Sequence, residues 1–293
     1  MLDLLVDPFR SPYMLRALAQ VLLLAVLGGV VGVHVLLRRL AFLSEALQHT
    51  VFPGIAAAFL LGHSLLLGAL VAALATVVLL VATTRSRRVD RDGVLALLTA
   101  TAFAAGVVLV SRGRTFQHDL PVLLFGRILA VDDRQLVETA VLAAGCAVTL
   151  LALHKELVLL AFDDQAARAL GYRPAVLEVV LNVVVALVVV AAVRSVGTVL
   201  VVAFLLTPAA AARSVTGSVE GAMAVAVVFS ALCGWLGLVL SFELSVDHGV
   251  DLASGATVVV VMTAGFVVAV LCGAWWRHLG RRRAVAVAAA PAG

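Results

Sequence analysis

The chain has 293 residues, of which 63% are hydrophobic and 13% charged, and its mean hydropathy is +1.17. Globular proteins carry roughly 45–50% apolar and about 25% charged residues, so a water-soluble fold, a coiled coil and a disordered chain are all excluded. A net charge of +4 with a pI near 9.5 suggests basic patches, but basic residues flanking membrane spans have a simpler explanation in orientation than in nucleic acid binding.

A hydrocarbon core about 30 Å thick takes roughly 20 apolar residues per helix. Met1 to Arg16, with Asp3 and Asp7, has neither a basic n-region nor a small-residue cleavage site, so the first apolar stretch is expected to stay as a span. Apolar stretches then run at about 15–37, 44–62, 65–84, 93–111, 136–153, 176–194, 197–213, 221–240 and 255–276. The pattern predicts an all-α, polytopic membrane protein of about nine helices, or eight if 176–213 is divided differently. Leu120 to Ala130, with Pro121 and Gly126, is too short to span and reads as re-entrant or interfacial. Residues 1–14 form an outer N-terminal segment, 15–276 the transmembrane domain, and 277–293 a basic tail whose Ala-rich end after Arg283 is expected to fray. With loops assigned alternately to the two sides, fourteen of the 21 Lys and Arg fall on the side of the C-terminus. The positive-inside rule therefore predicts a multi-pass protein of the cell membrane with its C-terminus in the cytoplasm.

Three groups of residues can carry chemistry. Ser44-Glu45-Ala46-Leu47-Gln48-His49, with Pro53-Gly54 behind it, opens the second stretch. Residues four apart share a helix face about 6 Å apart in rise, so the Glu45 carboxylate and His49 imidazole can meet one cation. That donor pair suits Zn²⁺, Mn²⁺ or Fe²⁺, and two ligands alone hold an ion loosely enough to release it. The same spacing also describes a hydrogen-bonded pair without a ligand. The second group is His154-Lys155-Glu156 through Phe162-Asp163-Asp164-Gln165-Ala166-Ala167-Arg168-Ala169-Leu170-Gly171, the longest interruption on the C-terminal side. Asp163 or Asp164 can cap a short helix that Gly171 ends, with Ala166, Ala167, Ala169 and Leu170 exposed to dock on a soluble partner. The third is an expected outer loop with Glu243, Asp247, His248 and Asp251, which would draw cations to a pore mouth or simply be solvated. His34, His63, His118, His154 and His278 have no ligand four residues away and read as interfacial or structural. Cys146, Cys233 and Cys272 lack metal or redox spacing and read as small apolar residues.

Absences narrow the choice. Lys155 is the single lysine and follows His154, so no phosphate-binding G-x-x-x-x-G-K-[ST] loop exists in the chain. There is no H-E-x-x-H and no G-x-S-x-G, which leaves an intramembrane enzyme without support.

The stretch Leu36 to Gly62 resembles the opening of the ABC-type manganese/zinc/iron permease family, which typically reads Gly-Asp-Ala-Leu-Ser-His and then Leu-Pro-Gly. Leu124 to Val131, Lys155-Glu156-Leu157, Phe162-Asp163, Ala167 to Gly171, Val196 to Arg213 and Ser254 to Thr257 continue the resemblance in order, over about Leu15 to Trp276. It implies the permease fold shared with vitamin and siderophore importers, a second permease copy alike or unlike, cytoplasmic ABC ATPase subunits and an extracytoplasmic metal-binding protein. By the same resemblance 163–171 is the coupling helix, with Asp163, Asp164, Ala167, Arg168, Leu170 and Gly171. Glu45 and His49 fall on the family's Asp and His, lining the path of Mn²⁺, Zn²⁺ or Fe²⁺, with no permanently bound cofactor and no enzymatic activity in this chain. Glu45 replaces the usual Asp, Ser44 the usual Gly, and the 241–251 segment looks longer than is typical. A siderophore or cobalamin permease on the same fold, or an ion-gradient-driven carrier, are the rival readings.

Overall fold

The computed structural model describes residues 7–84, 90–111, 126, 128–247 and 253–288. Every regular element among them is helical. A short 3₁₀ turn, Asp7–Arg10, leads into α1 (Pro12–Leu37), which starts with Pro12 in its first turn, where the missing N–H costs nothing. There follow α2 (Ala41–Thr50), α3 (Phe52–Leu60), α4 (Leu65–Thr84) and α5 (Arg91–Ser111). A 3₁₀ turn at Ile128–Ala130 precedes α6 (Asp133–Ala152), α7 (His154–Phe162) and α8 (Asp164–Ala169). The chain closes with α9 (Pro174–Val196), α10 (Thr198–Val215), α11 (Val219–Asp247) and α12 (Ser254–Ala288).

Among the described residues, seven helices are long and apolar enough to cross a membrane: α1, α4, α5, α6, α9, α11 and α12. The shorter apolar α10 and the pair α2–α3 make up the remaining two of the nine predicted stretches. The predicted 44–62 helix is therefore two helices, meeting at Val51. The reason is Pro53: it has no N–H to give to the His49 carbonyl four residues back, and its ring crowds that carbonyl. The predicted loop from Ser241 is also corrected, since α11 runs on to Asp247. The run Ser241 to Asp247 holds neither Gly nor Pro, so nothing in it stops a helix, and Ser241 Oγ donates to Ser254 Oγ at 2.9 Å to tie α11 to α12. α12 is helical to Ala288. Most of the stretch read as re-entrant lies outside the described residues.

α1 and α9 are the central helices, buried along most of their length, and α1 packs against α11, α10 and α6. Close approach is bought with glycine: a Cβ on Gly32 would stand 2.0 Å from the Leu205 carbonyl oxygen of α10. Gly54 of α3 and Gly68 of α4 face each other in the same way, each Cβ position lying 2.3 Å from the other's carbonyl oxygen. In lipid, helices gain nothing from apolar burial against one another, so such backbone contact is the main source of association.

Polar contacts group at the two ends of the bundle. At one end Arg16 of α1 holds Asp133 of α6 through two bonds, 2.7 and 2.9 Å, and Glu138 of α6 bridges Arg134 at 3.1 Å and Arg194 of α9 at 2.5 Å. At the other, which carries α7 and α8, Arg38 pairs with Glu178 and donates to the Leu160 carbonyl at 2.8 Å, joining α1, α7 and α9. Thus α1 and α9 are pinned by charge at both ends.

Candidate transport site

Leu43, Ser44, Ala46, Leu47, Gln48 and Thr50 are the buried residues of α2, which packs on α5, α9 and α10. Glu45 and His49 take the remaining face. Their side chains remain 46% and 33% exposed on the single protomer, with His49 Nε2 3.7 Å from Glu45 Oε1. The His49 ring meets Phe103 of α5 edge-on at 5.9 Å, and Phe103 in turn lies 5.8 Å from Phe52. The pair thus sits where α2 and α5 meet, on a face that the protomer leaves open. The α2–α3 junction at Val51 lies about midway along residues 41–60. His49 is two residues from that junction, and Pro53 leaves its carbonyl without a helical donor. A carboxylate, an imidazole and a carbonyl oxygen then share one turn, a donor set suited to a divalent transition metal ion. Among the described residues, no three His, Cys, Asp or Glu side chains converge to hold a metal ion, so any further ligand at this place comes from outside those side chains.

The 163–171 segment forms as its residues dictate. Asp163, not Asp164, is the cap: its Oδ1 accepts from the backbone N–H of Gln165 and of Ala166, both at 2.9 Å. Asp164 instead pairs with Arg168 one turn on, at 2.7 Å. Gly171, at φ +84°, turns the chain out of the helix into a conformation that favours glycine. Ala167 corrects the expectation of an exposed apolar face. It is fully buried and holds α8 onto the bundle, whereas Ala169 is exposed and Leu170 is 67% exposed. One turn of helix separates a docked side from a free one.

The third group falls partly outside the described residues. Glu243 is half-buried in α11, Asp247 is the last residue of that helix, and His248 and Asp251 lie outside the described residues. Spacing within one helix did not reveal the contact that His34 and His154 make across α1 and α7. Their rings stand edge to face at 6.0 Å, and His154 Nε2 reaches Glu220 of α11 at 3.5 Å. His34 is fully buried with no partner for either ring nitrogen among the described residues. Spacing four residues apart along one helix cannot reveal a group of three that three different helices bring together.

The model of the ABC 3 transport family matches residues 10–273. The chain belongs to the ABC 3 transport family. Within that family's range fall Glu45, His49 and the whole of α7 and α8. The manganese transport system membrane protein MntC of Halalkalibacterium halodurans is 32% identical over 257 residues, covering 88% of this chain and 86% of that protein. The chelated iron transport system membrane protein YfeD of Yersinia pestis is 31% identical over 269 residues, covering 92% and 88%. Among solved structures, PsaBC from Streptococcus pneumoniae in complex with Fab superposes with a TM-score of 0.81 at 27% identity, covering 92% of this chain and 95% of that one. The helical permease architecture expected from the sequence is therefore the observed one.

Proposed function

We propose that this ABC 3 family chain is the membrane-spanning subunit of an ATP-driven importer of divalent transition metal ions, with manganese and iron the first choices and zinc a third. Manganese and iron stand first because relatives carry those names. The observation that carries the reading is the Glu45 and His49 pair, side by side on the face that the chain leaves open. A face that is polar and open in one chain fits a passage shared with a second permease chain, where two such pairs meet. Two protein ligands per chain bind an ion weakly enough to let it leave. A siderophore or cobalamin needs a wide neutral route instead, and a carboxylate with an imidazole serves it poorly.

The side bearing α7 and α8 is assigned to the cytoplasm. Support comes from the basic residues at that end, Arg38, Arg91, Lys155, Arg168, Arg173 and Arg213 among them. Leu170 and Ala169, presented beyond the Asp163 cap, suit a groove on a cytoplasmic ATPase, which supplies the hydrolysis that this chain has no phosphate loop to perform. An extracytoplasmic metal-binding protein delivers the ion at the opposite end, near Arg16 and Arg194.

The test is ATP-dependent uptake into vesicles holding the permease with its partner ATPase, with Mn²⁺, Fe²⁺ and Zn²⁺ in competition. Glu45→Ala and His49→Ala are expected to reduce uptake at least tenfold while the complex still assembles. Normal accumulation by both variants removes the assignment.

A further inference from the structure

The α8 end of the bundle holds a cleft that the transport route does not use. It measures about 870 Å³ and opens between α4, α8 and α9, with Arg38 of α1 and Arg91 of α5 in its wall. Three guanidinium groups line it, Arg38, Arg91 and Arg168, against two carboxylates, Glu178 and Asp164. Both carboxylates are already engaged, Glu178 with Arg38 and Asp164 with Arg168. Arg91 donates at 3.0 Å to the amide oxygen of Asn182, a neutral acceptor, and no carboxylate is paired with it among the described residues. The flanking Asp90 and Asp92 are exposed and do not line the cleft. Arg91 thus has no direct ion pair among the described residues, Glu178 and Asp92 acting on it only at longer range, and its guanidinium is a planar fork of donors, the geometry that matches phosphate oxygens.

The second observation is what adjoins it. A hollow of about 300 Å³ runs along α4 and α9, walled by Leu74, Val77 and Val78 and sharing Val81 and Val179 with the cleft. Leu74, Val77, Val78 and Val81 recur at helical spacing, so they form one apolar stripe on α4, a helix long enough to span the bilayer. A guanidinium without a direct ion pair beside an adjoining apolar hollow has the pattern that suits an amphiphile, not a soluble anion or a polar protein face.

We propose that this cleft binds one anionic phospholipid of the cytoplasmic leaflet, its phosphate on Arg91 and an acyl chain along the α4–α9 hollow. Basic pockets between spanning helices on the cytoplasmic side are the expected place for such headgroups. Asp164 and Arg168 of α8 form part of the same wall, so the bound lipid lies against the segment proposed to receive the ATPase. The sidedness rests on the reading given above, but the binding does not depend on which ion is carried.

The experiment is native mass spectrometry of the detergent-purified permease, alone and with its ATPase, titrated with phosphatidylglycerol, phosphatidylcholine or inorganic phosphate. One phosphatidylglycerol per chain is expected to be retained. Arg91→Gln is expected to weaken it about tenfold, the equivalent of one charge-assisted pair. Arg91→Lys should keep part of the affinity, Val179→Trp should lose it by filling the hollow, and Arg213→Gln, which removes the same charge at the same end outside the cleft, should leave it unchanged. Equal retention of the two lipids overturns the proposal. So does indifference to Arg91→Gln and Val179→Trp, binding of inorganic phosphate that ignores Val179→Trp, or loss of the lipid once the ATPase is bound. Lipid retention with no uptake of any of the three metals would sink the transport reading and leave this one standing.

Discussion

Asp163 satisfies two of the N–H groups that begin α8, and a helix of six residues has few other means of holding its shape. Asp163→Ala is expected to destabilise that turn by about 1 kcal/mol. Assembly should survive, and ATPase stimulation by metal-loaded binding protein should fall, which a coupled hydrolysis assay on vesicles will read. Asp163→Ser, which keeps an acceptor, should restore most of it. His34 offers the opposite kind of test. A buried polar ring without partners costs stability where it stands, and exchange for an apolar group of similar size is close to neutral or better. His34→Leu should therefore melt at the wild-type temperature or above it. A loss of more than about 2 kcal/mol would show that the ring is bonded in the membrane-embedded protein.

At the scale of elements, the α2–α3 junction and the glycine contacts have different duties. Pro53 interrupts an otherwise continuous helix but stands in the first turn of α3, where proline is tolerated, so its replacement by alanine, a better helix former, costs nothing there. Pro53→Ala should thus yield a protein at least as stable, but with the His49 carbonyl tied into the helix ladder and uptake slowed severalfold. Unchanged uptake would show that the carbonyl takes no part. Gly54 and Gly68 have no such freedom. A side chain at either place meets backbone at 2.3 Å, so Gly54→Leu must push α3 and α4 apart. Loss of folded, monodisperse protein in detergent is the expected outcome, whereas Gly145→Leu, where a Cβ meets nothing within 4 Å, should be tolerated.

For the whole molecule, the question is which exposed apolar surface faces lipid and which faces a second chain. Phe103 and Val107 on α5 and Phe42 on α2 are exposed on the two helices that carry the Glu45 and His49 face, while Val148 is exposed on α6. Cys146 and Cys233 are buried and Cys272 is exposed, so a Cys272→Ser background gives a clean reporter. Phe103→Cys in that background should cross-link to a neighbouring permease chain in membranes, and Val148→Cys should not. The reverse pattern would move the passage to another face and detach Glu45 and His49 from it.

The apolar stretches, the bilayer thickness and the positions of proline, glycine and charge determined the helical class and the order of the apolar segments, because each span must satisfy its backbone bonds within itself. They determined equally that Glu45 and His49 share a face and that a capped turn stands at 163–171, since both are matters of spacing along one helix. Folding in three dimensions decided the rest. Which face of α2 stays open depends on where α5, α9 and α10 lie, and Ala167 is buried rather than exposed because α8 leans on the bundle. The same holds for His34 against His154 and for Arg91 facing a cleft that ends in an apolar hollow. These are contacts between residues tens of positions apart, and hydropathy and helical spacing register only neighbours within a few turns.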